Sequence, residues 1–334
     1  MCSIESSALI RDFKEASMSM RIWHQSFTVL SDLPAYNEAL ASHFKKAARP
    51  DTQIVMHGMA DGTYPTAYPG TDICFDVIQR LHGPQFLLGG IAAEEQGYDA
   101  YAISSIPDIF LRECRASLNI PVVGYGESAM LFACTLGEKF GILNFIEGMH
   151  GQLADNAVRY GLASRFVAAR QVGFTFADVL KGYSNPAELI ERFKASARKM
   201  IADGADVIIP GEAPLCVLLA KNGINRVDDV PIVDALGATI KMAESMVDLR
   251  RSSPRFGQWA GAWLSADNKQ QMWIPPGFAH GFITLSDRAD FIYKMTGIYH
   301  PESERSIRFD DPTLNITWHF DATPLVAPKD LNAP

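Results

Sequence analysis

The sequence lacks the features that would place it in several large protein classes. Its 334 residues contain no CxxC pair and no Cys–His spacing typical of a metal site, so we expect no metal and no disulfide framework. No apolar run reaches the ~18 residues that span a bilayer, and the N-terminus lacks the long apolar stretch of a signal peptide. Basic residues are too few for a nucleic-acid or anionic-membrane binder, since the net charge is −8. These absences predict a cytoplasmic protein with reduced thiols.

The length and the apolar fraction of 48% suit roughly two domains of ~150 residues. Up to about residue 250, short apolar runs alternate with helix-length amphipathic segments, which indicates a parallel sheet covered by helices. After residue 250 the sequence is rich in aromatic residues, Pro and Gly, and four of the five Trp lie there. Its short strand-like runs predict an all-β segment.

A repeat within the first part singles out two residues. The run Gly97–Ser105 resembles Gly204–Glu212: each has a small turn, an acid and an apolar strand that ends in polar residues. The repeat places Ser105 and Glu212 at the carboxyl ends of their strands, where ligands bind in open α/β sheets. The alternative is that both are ordinary loop residues after buried strands.

The first part resembles the aspartate/glutamate/hydantoin racemase superfamily. The resemblance rests on GYDAYAISSIPDIFLREC, IPVVGYGESAMLFACTLGEKFGIL and ADGADVIIPGEAPLCVLL, and on the opening MRIWHQSF. It implies two pseudosymmetric α/β lobes with an active site between them, no cofactor, and a small-molecule substrate. The domains that we predict are an N-terminal extension (1–19), the racemase-like α/β domain (20–246) and a partial cupin-like β segment (247–334).

The two catalytic positions depart from the family pattern. The resemblance implies one cysteine in each lobe, but the matching positions hold Ser105 and Glu212. A serine hydroxyl is a far weaker acid than a thiol and needs an activating neighbour. Glu212 can serve as a base, especially if burial raises its pKa. The pair therefore favours chemistry with one base over a two-thiol racemase: proton shuttling on one face, isomerisation, decarboxylation or hydrolysis.

Other residues are candidates for substrate binding through the same resemblance. Ser128 could instead be the N-cap of its helix. A histidine at the end of a strand, such as His57, could instead have a structural role. The candidates are Gln25, Ser26, His57, Gly126, Glu127 and Ser128.

The tail resembles the C-terminal half of dTDP-4-dehydrorhamnose 3,5-epimerase, a cupin jelly roll. The matching runs are WIPPGFAHGF and FIYKMTGIYHPESERSIRFDDPTL. The resemblance implies that Tyr293 is the acid, His280 a pocket histidine and Asp330 the residue that orients the base. The basic histidine itself lies upstream in that family, in a segment that does not occur here. We therefore expect an inactive appendage that docks on the first domain or on a second subunit, in a homo-oligomer.

Three functions remain open from the sequence. The first is a cofactor-independent isomerase that acts on a small carboxylate, amino acid or hydantoin-like substrate, with Glu212 as base. The second is a non-catalytic binding protein that keeps the pocket without the thiols. The third is a sugar epimerase that uses the C-terminal segment.

Overall fold

The computed structural model describes residues 20–66, 70–249, 259, 261–268, 272, 274, 279–293, 306–318 and 324–331. The predicted N-terminal extension lies outside these residues. The chain divides into two compact units, residues 1–244 and 245–334. The predicted boundary at 246/247 falls inside the helix Ala235–Leu249, which spans the division between the units.

The first lobe is built on a four-stranded parallel sheet with the order β2-β1-β3-β4. The central strands are buried along nearly their whole length, as in a parallel sheet whose two faces are covered. The strands are β1 (Met20–Ser26), β2 (Thr52–His57), β3 (Ala100–Ser104) and β4 (Val122–Gly124).

The second lobe repeats this order on a smaller scale. Its parallel sheet has the order β6-β5-β7, and a parallel bridge between Ile208 and Ile232 extends it by one position. A two-stranded hairpin, β8 with β9, leads into that position. The strands are β5 (Phe140–Asn144), β6 (Phe166–Gln171), β7 (Val207–Pro210), β8 (Arg226–Val227) and β9 (Val230–Pro231).

Helices alternate with the strands and join the lobes. They are α1 (Pro34–Ala47), α2 (Gly70–Ile73), α3 (Asp76–Glu95), α4 (Leu111–Ser117), α5 (Tyr125–Leu136), α6 (His150–Arg159), α7 (Phe176–Gly182), α8 (Ala187–Ala202), α9 (Ala213–Lys221) and α10 (Ala235–Leu249). Helix α1 of the first lobe packs against α9 of the second. The Tyr125 hydroxyl at the start of α5 donates to the Pro210 carbonyl at the end of β7, at 2.9 Å. The carboxyl ends of both sheets are thereby held together.

The predicted two-lobed α/β architecture is confirmed. None of the described helices is long and apolar enough to cross a lipid bilayer.

Beyond the end of α10, the described residues of the second unit form irregular segments, turns and one short helix, α11 (Pro328–Leu331). None of these described residues lies in a hydrogen-bonded strand, although the sequence predicts strand-like runs here. Aromatic side chains are exposed in this unit: Phe282 stacks on Phe291 at 4.0 Å between ring centroids, yet both remain accessible.

Candidate active site

A small cavity lies where the carboxyl ends of the two sheets meet. Its volume is about 50 Å³, roughly the space of four water molecules. Ser105, just after β3, and Glu212, just after β7, both line it. The full set of lining residues is Ser26, Phe27, Thr28, Tyr36, Ile73, Ser104, Ser105, Ile106, Pro107, Phe145, Ile146, Met149, Glu212, Ala213 and Pro214.

Glu212 is the buried carboxyl group of this cavity. It occupies the N-cap position of α9, and its side chain turns towards the loop after β5. Two backbone N–H groups donate to it: Phe145 lies at 3.0 and 3.1 Å from the two carboxylate oxygens, and Ile146 at 3.0 Å from Oε1. A carboxylate has about four lone-pair positions, so acceptor capacity remains on Oε2.

The pKa of Glu212 is raised from 4.5 to about 8. Burial is the main cause, because it disfavours the charged form, and the two N–H donors offset only part of it. A carboxyl group that titrates near neutral pH can accept a proton from carbon and return it, which an ordinary surface glutamate does poorly.

Among the described residues, none forms a hydrogen bond that could activate the Ser105 hydroxyl. Its hydroxyl makes no hydrogen bond to any described residue, and its carbonyl accepts from the backbone N–H of Asp108 at 2.9 Å. Without an adjacent base, the hydroxyl stays protonated. It can donate a hydrogen bond to a ligand.

The rest of the lining offers hydroxyl groups and apolar walls. The hydroxyls of Ser26 and Thr28 lie 2.8 Å apart, and the Ser104 hydroxyl is buried without a partner. Among the described residues that line the cavity there is no Lys, Arg or His. Any ligand here therefore meets one ionisable carboxyl and no compensating cation.

Two of the predicted binding residues lie outside this lining. His57 ends β2 and stacks on Trp23, with ring centroids 3.3 Å apart. The Gln25 side chain accepts from the Trp23 indole N–H at 3.0 Å and lies beneath Gly89 of α3. Ser26, the next residue, does line the cavity, because side chains alternate between the faces of a strand.

The predicted turn Gly126-Glu127-Ser128 is also absent from the lining. Glu127 forms an ion pair with Arg115. A Cβ atom at Gly126 would lie 2.2 Å from the Ile106 carbonyl oxygen, so close packing requires glycine there. The Ser128 hydroxyl is buried without a partner.

Asp108 is a residue that the sequence analysis missed. Its carboxylate accepts from the N–H groups of Gly126 at 2.9 Å and Glu127 at 2.7 Å, and from the Tyr160 hydroxyl at 2.6 Å. Burial raises its pKa to about 7 despite these donors. The signal in the sequence was an acid three residues after Ser105. In the structure this acid adopts a left-handed backbone conformation, with φ of 53°. Asp108 fastens the loop that carries Ser105 to α5.

The other titratable groups that the structure describes do not gather into a cluster of potential metal ligands. No group of three potential metal ligands occurs among the described residues. Cys114 and Cys216 are buried outside the cavity, and burial raises the pKa of each thiol. Neither replaces the family thiols.

The epimerase-like residues lie in the second unit. His280 is exposed, and 67% of the Tyr293 surface is accessible. The backbone N–H of Asp330, in α11, donates to the Ala327 carbonyl at 2.9 Å. No hydrogen bond joins these three side chains among the described residues of the unit.

Comparison with known proteins identifies the first unit. The family model for Asp/Glu/hydantoin racemase matches residues 35–243. The chain belongs to this racemase family. Two allantoin racemases share its fold: one from Klebsiella pneumoniae (TM-score 0.58, 23% identity, covering 69% of this chain and 89% of that one) and one from Pseudomonas fluorescens (TM-score 0.56, 24% identity, 69% and 92%).

The tail matches a second family model, dTDP-4-dehydrorhamnose 3,5-epimerase, over residues 238–334. The epimerase of Pseudomonas aeruginosa is 58% identical over 84 residues, and that of Salmonella typhimurium 54% over 88 residues. These matches cover 25% and 26% of this chain but 46% and 48% of the relatives. The chain thus spans about half the length of the curated relatives it matches. Both predicted resemblances are confirmed.

Proposed function

We propose that this chain is an isomerase that removes a proton from a carbon and returns a proton to it. The carbon lies next to a carbonyl group in a compact, uncharged amide ring of the hydantoin type, and Glu212 is the base. The observation that carries this proposal is the cavity shared by Ser105 and Glu212, in which burial raises the pKa of Glu212 to about 8. Ser26 and Ser105 supply hydroxyl groups that can bind the ring's carbonyl and amide groups.

The charge of the cavity favours an uncharged, hydantoin-like substrate over the two charged classes considered from the sequence, amino acids and small carboxylates. An amino acid or a dicarboxylate would bring an anion beside Glu212, and the described lining holds no Lys, Arg or His to offset it. Two like charges a few ångströms apart in a buried site repel strongly. A neutral ring avoids this cost and still offers an acidic C–H.

The structural relatives point the same way. Two proteins that share this fold are allantoin racemases, and allantoin carries a hydantoin ring. The substrate of this chain need not be allantoin, since these relatives share the fold at only 23% and 24% identity.

A single base has a kinetic consequence. Glu212 removes the proton and, while protonated, returns a proton to the same face unless the intermediate turns over. While the intermediate persists, the acidic proton of the Glu212 carboxyl is replaced by deuterium from the solvent, so exchange at the carbon is expected to outpace its inversion. Two thiols on opposite faces would instead couple exchange to inversion.

Hydrogen–deuterium exchange in D₂O tests the proposal. Proton NMR would follow the C–H signal of hydantoins, free amino acids and dicarboxylates incubated with the full chain. We expect loss of the signal from substituted hydantoins only. Exchange confined to amino acids or dicarboxylates would contradict the substrate class, and binding without any exchange would favour the non-catalytic alternative.

Ser105→Ala is expected to be a mild variant. If Ser105 only donates a hydrogen bond to the substrate, its loss costs about 0.5–1.5 kcal/mol, or roughly 2- to 10-fold in kcat/KM. Exchange kinetics would measure this, with Ser196→Ala as a control that removes a hydroxyl of α8 outside the cavity. A loss as large as that of a Glu212 variant would instead make Ser105 a second proton carrier.

The tail supports a second candidate, sugar epimerisation, because its identity to the epimerases is high. The resemblance places the basic histidine in the half that this chain does not match, and the exposed Tyr293 lacks the desolvated setting that a catalytic acid needs. We propose that the tail, residues 247–334, is an appendage to the racemase domain of a cytoplasmic homo-oligomer. Turnover of a dTDP-4-keto sugar by the full chain would overturn this assignment.

A further inference from the structure

Helix α6 presents a polar stripe to the first lobe although it belongs to the second. It connects β5 to β6 and packs on β6. The polar stripe consists of Gln152, Asn156 and Tyr160, which follow one another by four residues and so lie on one face of the helix. Tyr160 is the residue just after the helix ends. Each member of the stripe makes a hydrogen bond to the first lobe.

Two members of the stripe hold the loop that carries Ser105. The Asn156 side-chain amide donates to the Pro107 carbonyl at 2.9 Å, and Pro107 lines the cavity. Asn156 is only 1% exposed, so its loss would leave a buried carbonyl without a donor. The Tyr160 hydroxyl, one helical turn further on, donates to Asp108 of the same loop at 2.6 Å. The position of this loop therefore depends on α6.

The first member of the stripe reaches another wall of the cavity through α3. The side-chain amides of Gln152 and Gln79 donate to each other, at 2.7 and 2.9 Å. Gln79 is 2% exposed, and its amide also donates to the Ile73 carbonyl at 2.6 Å. Ile73 is the last residue of α2 and lines the cavity. Two successive hydrogen bonds thus link Gln152 to this wall.

The same segment of the chain carries the groups that hold Glu212. The N–H groups of Phe145 and Ile146, in the loop between β5 and α6, donate to the Glu212 carboxylate. Ile146 precedes Gln152 by six residues. The donors to the base and the polar stripe therefore lie on one short segment of the second lobe, and the stripe fixes where two walls of the first lobe lie relative to Glu212.

We propose that Asn156 and Gln152 are positioning residues, which hold two walls of the cavity at a fixed distance from Glu212. Neither side chain lines the cavity, so both act through the walls that they hold and not on the substrate itself. This proposal rests on the proposed function, because the distance that matters is the one between the base and a substrate bound at Ser105. A displacement of about 1 Å can cost about 10²-fold in rate even when its origin lies away from the reacting atoms.

Backbone amide hydrogen exchange, measured by mass spectrometry on the full chain, tests what the stripe holds. Asn156→Leu removes the donor at similar side-chain size and is expected to raise exchange about 10-fold in residues 104–111, with β6 unchanged. Gln152→Leu, at a half-buried position, is expected to do so in residues 72–79 instead, and it decides alone if Asn156→Leu does not fold.

Asn222→Leu is the control for both variants. The Asn222 amide donates to the Leu218 carbonyl at 2.8 Å, at the end of α9 and outside the lining of the cavity. We expect no change in either wall segment. Unchanged exchange in the wall segments of the two stripe variants, or an equal rise in β6, would overturn the proposal.

Initial rates of deuterium incorporation into the substrate separate positioning from a purely structural role. For both stripe variants, kcat is expected to fall about 10- to 10²-fold while KM stays within about 3-fold. The reason is that a substrate can follow a displaced wall, but its reacting carbon then no longer meets the base. A loosened wall with unchanged kcat would overturn the positioning role and leave Glu212 as the base. If the full chain exchanges no hydantoin, the proposed function fails, and the amide-exchange pattern still decides whether the stripe holds the walls.

Discussion

The Glu212→Gln variant is expected to lose about 10²- to 10⁴-fold of the exchange rate, which is the usual contribution of a positioned general base. The substitution keeps the shape of the side chain, and the amide oxygen can still accept from the N–H groups of Phe145 and Ile146. The loop after β5 therefore stays in place while the base is removed. Initial rates of deuterium incorporation, measured by NMR, give the effect directly.

The pH profile separates a lost base from a general loss of structure. In the wild type, kcat/KM is expected to rise with pH through the pKa of Glu212, near 8, because only the ionised carboxylate accepts a proton. Glu244→Gln is the control, since Glu244 is a buried carboxyl on α10 that lies outside the cavity. Full activity of Glu212→Gln would overturn the mechanism.

A second large effect concerns the free energy of unfolding, which is expected to fall by about 2 kcal/mol between pH 6.5 and 8. The pKa values of Glu212 and Asp108 are raised in the folded chain to about 8 and about 7. In the unfolded chain both groups ionise near pH 4, so through this window the folded state binds more protons. Stability is therefore lost as the pH rises through the folded-state pKa values. Below pH 6.5 the effect is opposed by His24, because burial lowers its pKa to about 3.

Urea unfolding at the two pH values, followed by circular dichroism, measures this effect. Glu212→Gln and Asp108→Asn are each expected to reduce the difference between pH 6.5 and 8, and the double variant to remove most of it. Glu212→Gln is thus expected to be more stable than the wild type at pH 8 although it is inactive. A wild-type chain that gains stability from pH 6.5 to 8 would contradict the raised pKa values.

The sequence predicted the two-lobed fold and placed Ser105 and Glu212 at one cavity for the same physical reason. Parallel strands all end at one edge of a sheet, so residues that follow corresponding strands meet when two lobes face each other. The internal repeat placed both residues at the ends of strands, and the family resemblance implied the two lobes with the active site between them. Their catalytic roles remain proposals.

Other features depended on information that a linear pattern does not carry. The hydrogen bonds to the Glu212 carboxylate come from backbone N–H groups of the loop after β5, which residues of almost any type could supply. Asp108 is fixed by contacts with Glu127 and Tyr160, which are distant in sequence. Side chains alternate between the two faces of β1, so Gln25 points away from the cavity and Ser26 towards it. Only the structure shows which of the two faces the cavity.

The most direct test of the central claim is a crystal structure of the Glu212→Gln variant with a substituted hydantoin bound, since the variant should hold the substrate without turning it over. The account predicts that the ring occupies the cavity, with its reacting carbon about 3–3.5 Å from the side-chain amide at position 212 and a ring oxygen or nitrogen hydrogen-bonded to Ser105. A ring bound elsewhere on the chain, or one whose reacting carbon points away from position 212, would contradict it.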